Sequence, residues 1–309
     1  MNKNTLFLKS YAKINLYLEI GKKIENGYHE IETIFQTINL FDEIFIEILD
    51  EPGFRIHCNH PEVPIGKDSI VYRAVTAIMQ EKVIRNQGTG LKISINKRIP
   101  LASGLGGGSS NTATILLGIS ELLHLEMNVS RLMDLAADFG MDVPYFIRRG
   151  TVYAGGRGEV LFPLVSIDPP MYLLLVNPGI KISTKWAYGA FDQERENRSY
   201  KHVNISPFVQ QRKRIQFCEI GNIIYNRFDL TISKYYPVIN QIKDELKELG
   251  VLYTSLSGSG PTVFGIVENK QKLDEVYFGM KNHYPFICRA STVRAEKIYL
   301  DNVKQISNE

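Results

Sequence analysis

The chain has 309 residues, 44% of them hydrophobic and 22% charged, with a formal net charge of +3 at pH 7. This length suggests two domains, each able to bury its own core, and the composition excludes a disordered or fibrous chain. With no dense basic block, the composition gives no argument for nucleic acid as a partner.

The first half opens on strands. Over 11–21 the residues alternate, with Ala12, Ile14, Leu16 and Leu18 on one face and Tyr11, Lys13, Asn15 and Tyr17 on the other. The run NGYHE at 26–30 is turn chemistry, and 31–40, 44–50 and 54–59 read as three further strands. A helix is expected over 68–85, with Asp68 as its N-cap and Ile70, Val71, Ala74, Val75 and Ile78 as its apolar stripe. Residues 91–97 alternate again as a strand. A helix is expected from about Ser109 to His124, and another over 130–139 with Ser130 as cap and Gly140 as stop. The stretch 163–170 reads as a domain crossing. After it come a strand at 171–179, a short helix at 183–191 capped by Ser183 or Thr184, and a charged exposed stretch at 192–204. A helix over 237–250, two strands around a glycine turn in 251–267, a helix near 270–282 and a strand near 286–299 complete the chain. Helices and strands mix without strict alternation, which argues α+β in two domains. Three well-separated cysteines, Cys58, Cys218 and Cys288, fit a reducing compartment. The opening MNKNTLFLKS has too short an apolar run for a signal peptide, and no stretch approaches the roughly 18 apolar residues of a membrane span. A soluble, cytoplasmic protein without a membrane partner is expected.

Between the strand at 91–97 and the next helix lies IPLASGLGGGSSNTA, residues 99–113. Gly104, Gly106, Gly107 and Gly108 fall within five positions. The P-loop and the Rossmann fingerprint both fail, because Ser109 stands where a glycine is needed and no Lys follows. The physics survives both failures. Glycines let backbone N–H groups converge on a ligand without Cβ obstruction, and a helix start presents unpaired N–H groups and a positive dipole end to an anion. Ser109 and Ser110 add hydroxyls suited to phosphate oxygens or a magnesium ion. The loop suits a di- or triphosphate. The H-x-x-H spacing at 57–60 lacks a third ligand and is not read as a metal site.

The segment PLASGLGGGSSNTA resembles the central motif of the GHMP kinase superfamily, and SGSGPTVFGIV at 257–267 resembles that superfamily's third, glycine-rich motif. The segments at 11–44, 141–159 and 177–188 are similar to those members that phosphorylate a cytidine-diphosphate-linked polyol in the non-mevalonate route to isoprenoids. Within them, AKINL and GYHE carry the likeness. The resemblance implies a two-domain GHMP kinase fold, with an N-terminal mixed α/β domain over 1–163 and a C-terminal ferredoxin-like α/β domain over 164–309. It implies ATP as phosphoryl donor with Mg2+, bound along Pro100, Leu101, Ala102, Ser103, Gly104, Leu105, Gly106, Gly107, Gly108, Ser109 and Ser110. A serine of the loop is the expected magnesium ligand, and no protein carboxylate ligand for the ion is evident.

By the same resemblance Lys13 and Asp142 are catalytic, with direct transfer and no phospho-enzyme. Asp142, followed by Val143 and Pro144, also has the form of an N-cap. Asn15 becomes a substrate contact, Tyr28 and His29 hold the cytosine, and Tyr188 supplies a second aromatic against the base. The turn Ser257–Gly258–Ser259–Gly260 would be a supporting wall near the loop. The expected partner is a small molecule carrying a cytidine diphosphate group, and the chain is expected as a monomer or weak homodimer. Two alternatives stand beside this reading: a superfamily kinase acting on mevalonate, homoserine or a sugar, and a non-catalytic metabolite sensor. A pyrimidine-reading GYHE speaks against the first, and the pairing of Lys13 with Asp142 against the second.

Overall fold

The computed structural model describes residues 4–25, 27–83, 88–194, 203–210 and 212–298. Most of the charged stretch expected at 192–204 lies outside the described residues, as do the last two positions of the helix expected at 68–85.

Two long strands, β1 (Thr5–Lys23) and β2 (His29–Leu49), pair antiparallel and form the spine of the first sheet. The strands expected at 31–40 and 44–50 are thus one. Asp42 in the supposed gap is buried, and its carboxylate accepts from the backbone N–H groups of Arg98 (2.7 Å) and Ile99 (2.9 Å), so the strand continues through it. Next come β3 (Gly53–Cys58), α1 (Ile70–Val83) and β4 (Gly90–Asn96). Then follow α2 (Gly107–Leu122), α3 (Val129–Ala137), α4 (Val143–Arg148), β5 (Thr151–Gly155) and β6 (Val160–Pro163). The second half holds β7 (Tyr172–Asn177), α5 (Thr184–Glu194), α6 (Ser206–Val209), β8 (Tyr225–Asn226), α7 (Phe228–Tyr235) and α8 (Val238–Glu248). It ends with β9 (Tyr253–Leu256), β10 (Val263–Val267), α9 (Lys270–Met280) and β11 (Phe286–Ser291).

The first sheet runs β3-β4-β2-β1-β8, with β5 also paired to β2 and β6 to β5. The second runs β11-β7-β10-β9, all antiparallel, with α8 and α9 packed on it. That order, with α8 and α9 as the connecting helices, is the split β-α-β-β-α-β arrangement expected for the second half. The short β8 belongs to the second half in sequence but pairs parallel with β1 at Tyr17 and Leu18.

Several expected caps move. Helix α1 starts at Ile70, and Ser69, not Asp68, caps it by accepting from Tyr72 N at 3.1 Å. Asn128, not Ser130, caps α3 by accepting from Arg131 N at 2.9 Å. Ser183 caps α5 through Trp186 N at 3.0 Å. The last strand stops at Ser291 and residues 295–298 turn helical, so the strand expected to 299 is cut short.

Candidate active site

Helix α2 begins at Gly107, two residues before the expected start at Ser109, because Gly106 takes a left-handed φ of 73° and turns the chain directly into the helix. Gly106 offers no side-chain cap, so the first turn's N–H groups meet whatever lies in front of them. A cavity of about 530 Å³ lies there, lined from this loop by Pro100, Leu101, Ala102, Ser103, Gly104, Gly106, Gly107, Gly108 and Ser109. A Cβ on Gly104 would stand 2.0 Å from Ser257 O, and one on Gly106 would stand 2.6 Å from the Phe146 ring. Contacts that close exclude a side chain at either position.

Two residues of the motif face elsewhere. Leu105 is fully buried among the apolar side chains beneath the loop. Ser110 is buried too, and its hydroxyl donates to Tyr11 O at 2.6 Å and meets Ser10 Oγ at 2.8 Å. Of the two hydroxyls expected to meet phosphate or metal, only that of Ser109 belongs to the cavity lining.

Lys13, on β1, is 4% exposed, where strand alternation alone suggests a half-solvated position. Both faces of β1 are covered here, by α2 on one side and the second half of the chain on the other. Lys13 Nζ donates to Asn15 Oδ1 at 2.6 Å, lies 3.9 Å from Asp142 Oδ2 and sits 5.2 Å from the Phe35 ring centroid. Burial pushes the Lys13 ammonium below its ordinary pKa of 10.5, and the Asp142 carboxylate partly offsets this. An ammonium has three donors, and Asn15 takes one of them. Asn15 in turn donates one of its two amide hydrogens to Thr33 Oγ1 at 2.8 Å. Its side chain lines the cavity, yet both ends are engaged within the protein, as a brace for Lys13.

Asp142 sits at the N-cap position of α4 but makes no capping hydrogen bond, and Pro144 in the first turn needs no N–H partner. Its carboxylate is therefore turned to the cavity, 35% exposed. Gly258, in the turn between β9 and β10, closes over this pair: a Cβ there would lie 3.4 Å from Lys13 Nζ and 3.6 Å from Asn15 Oδ1. Ser257 Oγ donates to Gly104 O at 2.9 Å, which ties the turn to the glycine loop, and Ser259 Oγ lies 3.2 Å from Thr184 Oγ1.

Tyr188, on α5, lines the cavity together with Thr184, Phe228, Leu18 and Ile31. Burial, with Asp142 adding to it, pushes its hydroxyl up to about 12. His29 is buried behind it, with rings stacked at 5.1 Å and 14°. Tyr28 is 52% exposed, with the Arg157 guanidinium 5.7 Å from its ring centroid. His29 and Tyr28 thus flank Tyr188 and the cavity without belonging to its lining.

Sequence reasoning missed the far wall. Glu62, Val63 and Pro64 from the loop after β3, with Ile70 and Val71 at the start of α1, line the cavity beyond the glycine loop. It also missed Lys97, whose ammonium is paired with the buried Asp42 carboxylate, donates to Asn111 Oδ1 at 3.1 Å and faces the bare side of Gly107. Position alone hinted at Lys97, just ahead of the loop; nothing local marks its buried partner 55 residues away.

Known proteins share this architecture and much of this sequence. Residues 69–150 match the family of GHMP kinases N terminal domains, and residues 213–285 match the GHMP kinases C terminal family. The 4-diphosphocytidyl-2-C-methyl-D-erythritol kinase of Caldanaerobacter subterraneus subsp. tengcongensis is 38% identical over 289 residues, covering 93% of this chain and 97% of the relative. The enzyme of the same name from Geobacter metallireducens is 37% identical over 274 residues, covering 87% and 91%. A crystal structure of 4-(cytidine 5'-diphospho)-2C-methyl-D-erythritol kinase superposes with a TM-score of 0.75 at 26% identity, over 93% of this chain and 99% of that one. A homoserine kinase from Cytophaga hutchinsonii, at 17% identity and a TM-score of 0.69, shares the fold. With identity at this level along nearly its whole length, the chain belongs to the GHMP kinases, in the family of 4-diphosphocytidyl-2-C-methyl-D-erythritol kinases.

Proposed function

We propose that the protein transfers the γ-phosphoryl group of ATP to the 2-hydroxyl of 4-diphosphocytidyl-2-C-methyl-D-erythritol. The observation that carries this reading is one cavity holding an uncapped helix start, a buried lysine beside an open carboxylate, and an aromatic recess. The uncapped turn of α2 suits the ATP phosphates, and the apolar wall of Val63, Pro64, Ile70 and Val71 suits the adenine. The recess around Tyr188 and Phe228 suits the alcohol substrate, whose cytosine would stack on Tyr28 or Tyr188 and be read by His29. In this reading residues 1–163 form the domain that holds the nucleotide, and residues 164–309 form the domain that closes the alcohol side.

Asp142 orients the hydroxyl and accepts its proton as the oxygen bonds to the γ-phosphorus. The bond from that phosphorus to the bridging oxygen of ADP breaks in line, and ADP carries away the electron pair. Lys13, fixed by Asn15, stabilises charge on the moving phosphoryl group, where low dielectric strengthens the interaction. The nucleotide's own phosphates and the Ser109 hydroxyl form an oxygen donor set that fits Mg2+, which prefers few protein ligands and several waters. When bound, the ion would neutralise phosphate charge. No helix among the described residues is long and apolar enough to cross a membrane. Cys58, Cys218 and Cys288 are free thiols, which supports a cytoplasmic setting.

The test is ADP release with the cytidylated alcohol, with mevalonate, and with no added alcohol. Release with the cytidylated alcohol alone is expected. Release with mevalonate instead would select another kinase of the superfamily, and ligand binding without release in any arm would indicate a sensor. Replacing Tyr28 with Ala should raise the KM for the cytidylated alcohol roughly tenfold, as loss of base stacking implies, with little change in the KM for ATP. Steady-state kinetics with each substrate varied in turn would measure both.

A further inference from the structure

Asp192 lies one turn beyond Tyr188 on α5 and reaches across to the other half of the chain. Its Oδ1 lies 2.7 Å from His29 Nε2, and its Oδ2 accepts from Lys23 Nζ at 2.6 Å. Lys23 ends β1 and His29 begins β2, directly opposite each other in register, so one carboxylate grips both strands at the mouth of the GYHE hairpin. The His29 side chain is 2% exposed, stacked on Tyr188 and edge-on to Phe191 at 6.0 Å. Packed this way, the plane of the imidazole is fixed, and the contact with Asp192 places Nε2 towards the carboxylate.

The consequence is chemical. Burial pushes the Asp192 carboxyl up, but hydrogen bonds from Lys23 and His29 outweigh it and hold the group below the usual carboxylate range. An ionised carboxylate only accepts hydrogen bonds, so His29 Nε2 must carry the hydrogen. In a neutral imidazole that leaves Nδ1 bare, as an acceptor. A bare ring nitrogen complements the exocyclic amine of cytosine and opposes the keto oxygen that uracil has in its place.

We propose that Asp192 is a positioning residue that sets base selection, fixing His29 as a hydrogen-bond acceptor so that the alcohol site takes cytidine diphosphate esters and rejects their uridine counterparts. This rests on the reading of His29 as the base reader given above. A site whose polar group is matched to one partner discriminates against the other because a mismatch leaves two acceptors facing each other.

The test compares kcat and KM for the cytidylated alcohol and its uridylated analogue at about pH 8, above the ordinary imidazole range. In Asp192→Ala the preference for cytidine over uridine should fall roughly tenfold or more, through the KM of the cytidylated alcohol, while the KM for ATP stays unchanged. Asp192→Asn keeps the shape but can also donate to Nε2, so both tautomers become available and an intermediate preference is expected. Lys23→Ala removes the other partner of the carboxylate and should leave the preference intact. An unchanged preference in both Asp192 variants, an equal loss with both alcohols, or an equal fall in Lys23→Ala would overturn the proposal. Wild-type enzyme inactive on the cytidylated alcohol would overturn the function reading and this one together. Wild-type activity with an unaltered preference in the variants would overturn this one alone.

Discussion

Lys13 shows how burial changes the meaning of a residue. On the sequence it is a lysine on an alternating strand, where solvation is the rule. In the fold it is buried beside Asn15 and 3.9 Å from Asp142, and its ammonium is easier to deprotonate than a free lysine's. Because the pKa is lowered on folding, the unfolded chain binds more protons between the lowered value and 10.5. The Lys13 contribution to stability therefore rises with pH across that window, while its usefulness as a cation falls. We expect kcat/KM to decline on an alkaline limb below pH 10.5, and the stability difference between wild type and Lys13→Met to shift towards wild type over the same range. A pH–rate profile and pH-dependent melts measure the two, and a limb at or above the free-lysine value would remove Lys13 from the charge role. Asp142→Asn should keep the melting temperature and ATP affinity but lower kcat by roughly 10²- to 10⁴-fold, the usual worth of a general base. Calorimetric ATP titration beside a turnover assay separates the two effects.

At the scale of elements, helix and strand types followed from periodicity, while their ends followed from groups that periodicity does not see. Asp42 looks like a break and is a buried hub; Gly107 and Gly108 look like loop and form the first turn of α2. Glycine's poor helix propensity hides such a start, because the gain comes from what the bare backbone faces. Farther along the same helix, Gly118 has its Cα side pressed on the sheet: a Cβ there would lie 2.5 Å from Leu8 Cδ1 and 2.6 Å from Ile46 Cδ1. The missing side chain lets α2 lie close to β1 and β2. Gly118→Ala improves local propensity yet should destabilise the protein by about 1–3 kcal/mol through overpacking. Denaturant unfolding of the variant checks this, and a neutral or raised midpoint would show that the sheet can yield.

Across the whole molecule, the site is closed by pieces that cross between the two sheets. Asn226 on β8 is buried; it donates to Leu256 O and Gly258 O, both at 2.8 Å, and accepts from Phe228 N at 2.9 Å. Through β8 it belongs to the first sheet, and through these bonds it holds the turn of the second sheet that covers Lys13. Asn226→Ala would leave buried backbone groups unpaired, at a cost of about 1–3 kcal/mol. Asn226 does not line the cavity, so a fall in kcat alongside the lowered melting temperature would show that turn placement reaches the chemistry. Melting curves and turnover of the same preparation measure both.

The sequence alone determined the α+β class and, through motif likeness, the family, and it singled out the glycine loop, Lys13 and Asp142, which the fold brings to one cavity. These are local matters: alternation, bare backbone before a helix, and contiguous motifs all survive without knowledge of distant neighbours. Only the tertiary structure decided that Lys13 is buried, that Leu105 and Ser110 turn inward, that Lys97 answers to Asp42, and that Asp192 holds His29. Each of those rests on a contact between positions far apart in the chain, and desolvation with hydrogen-bond pairing is a property of the place a side chain occupies, which no window of sequence contains.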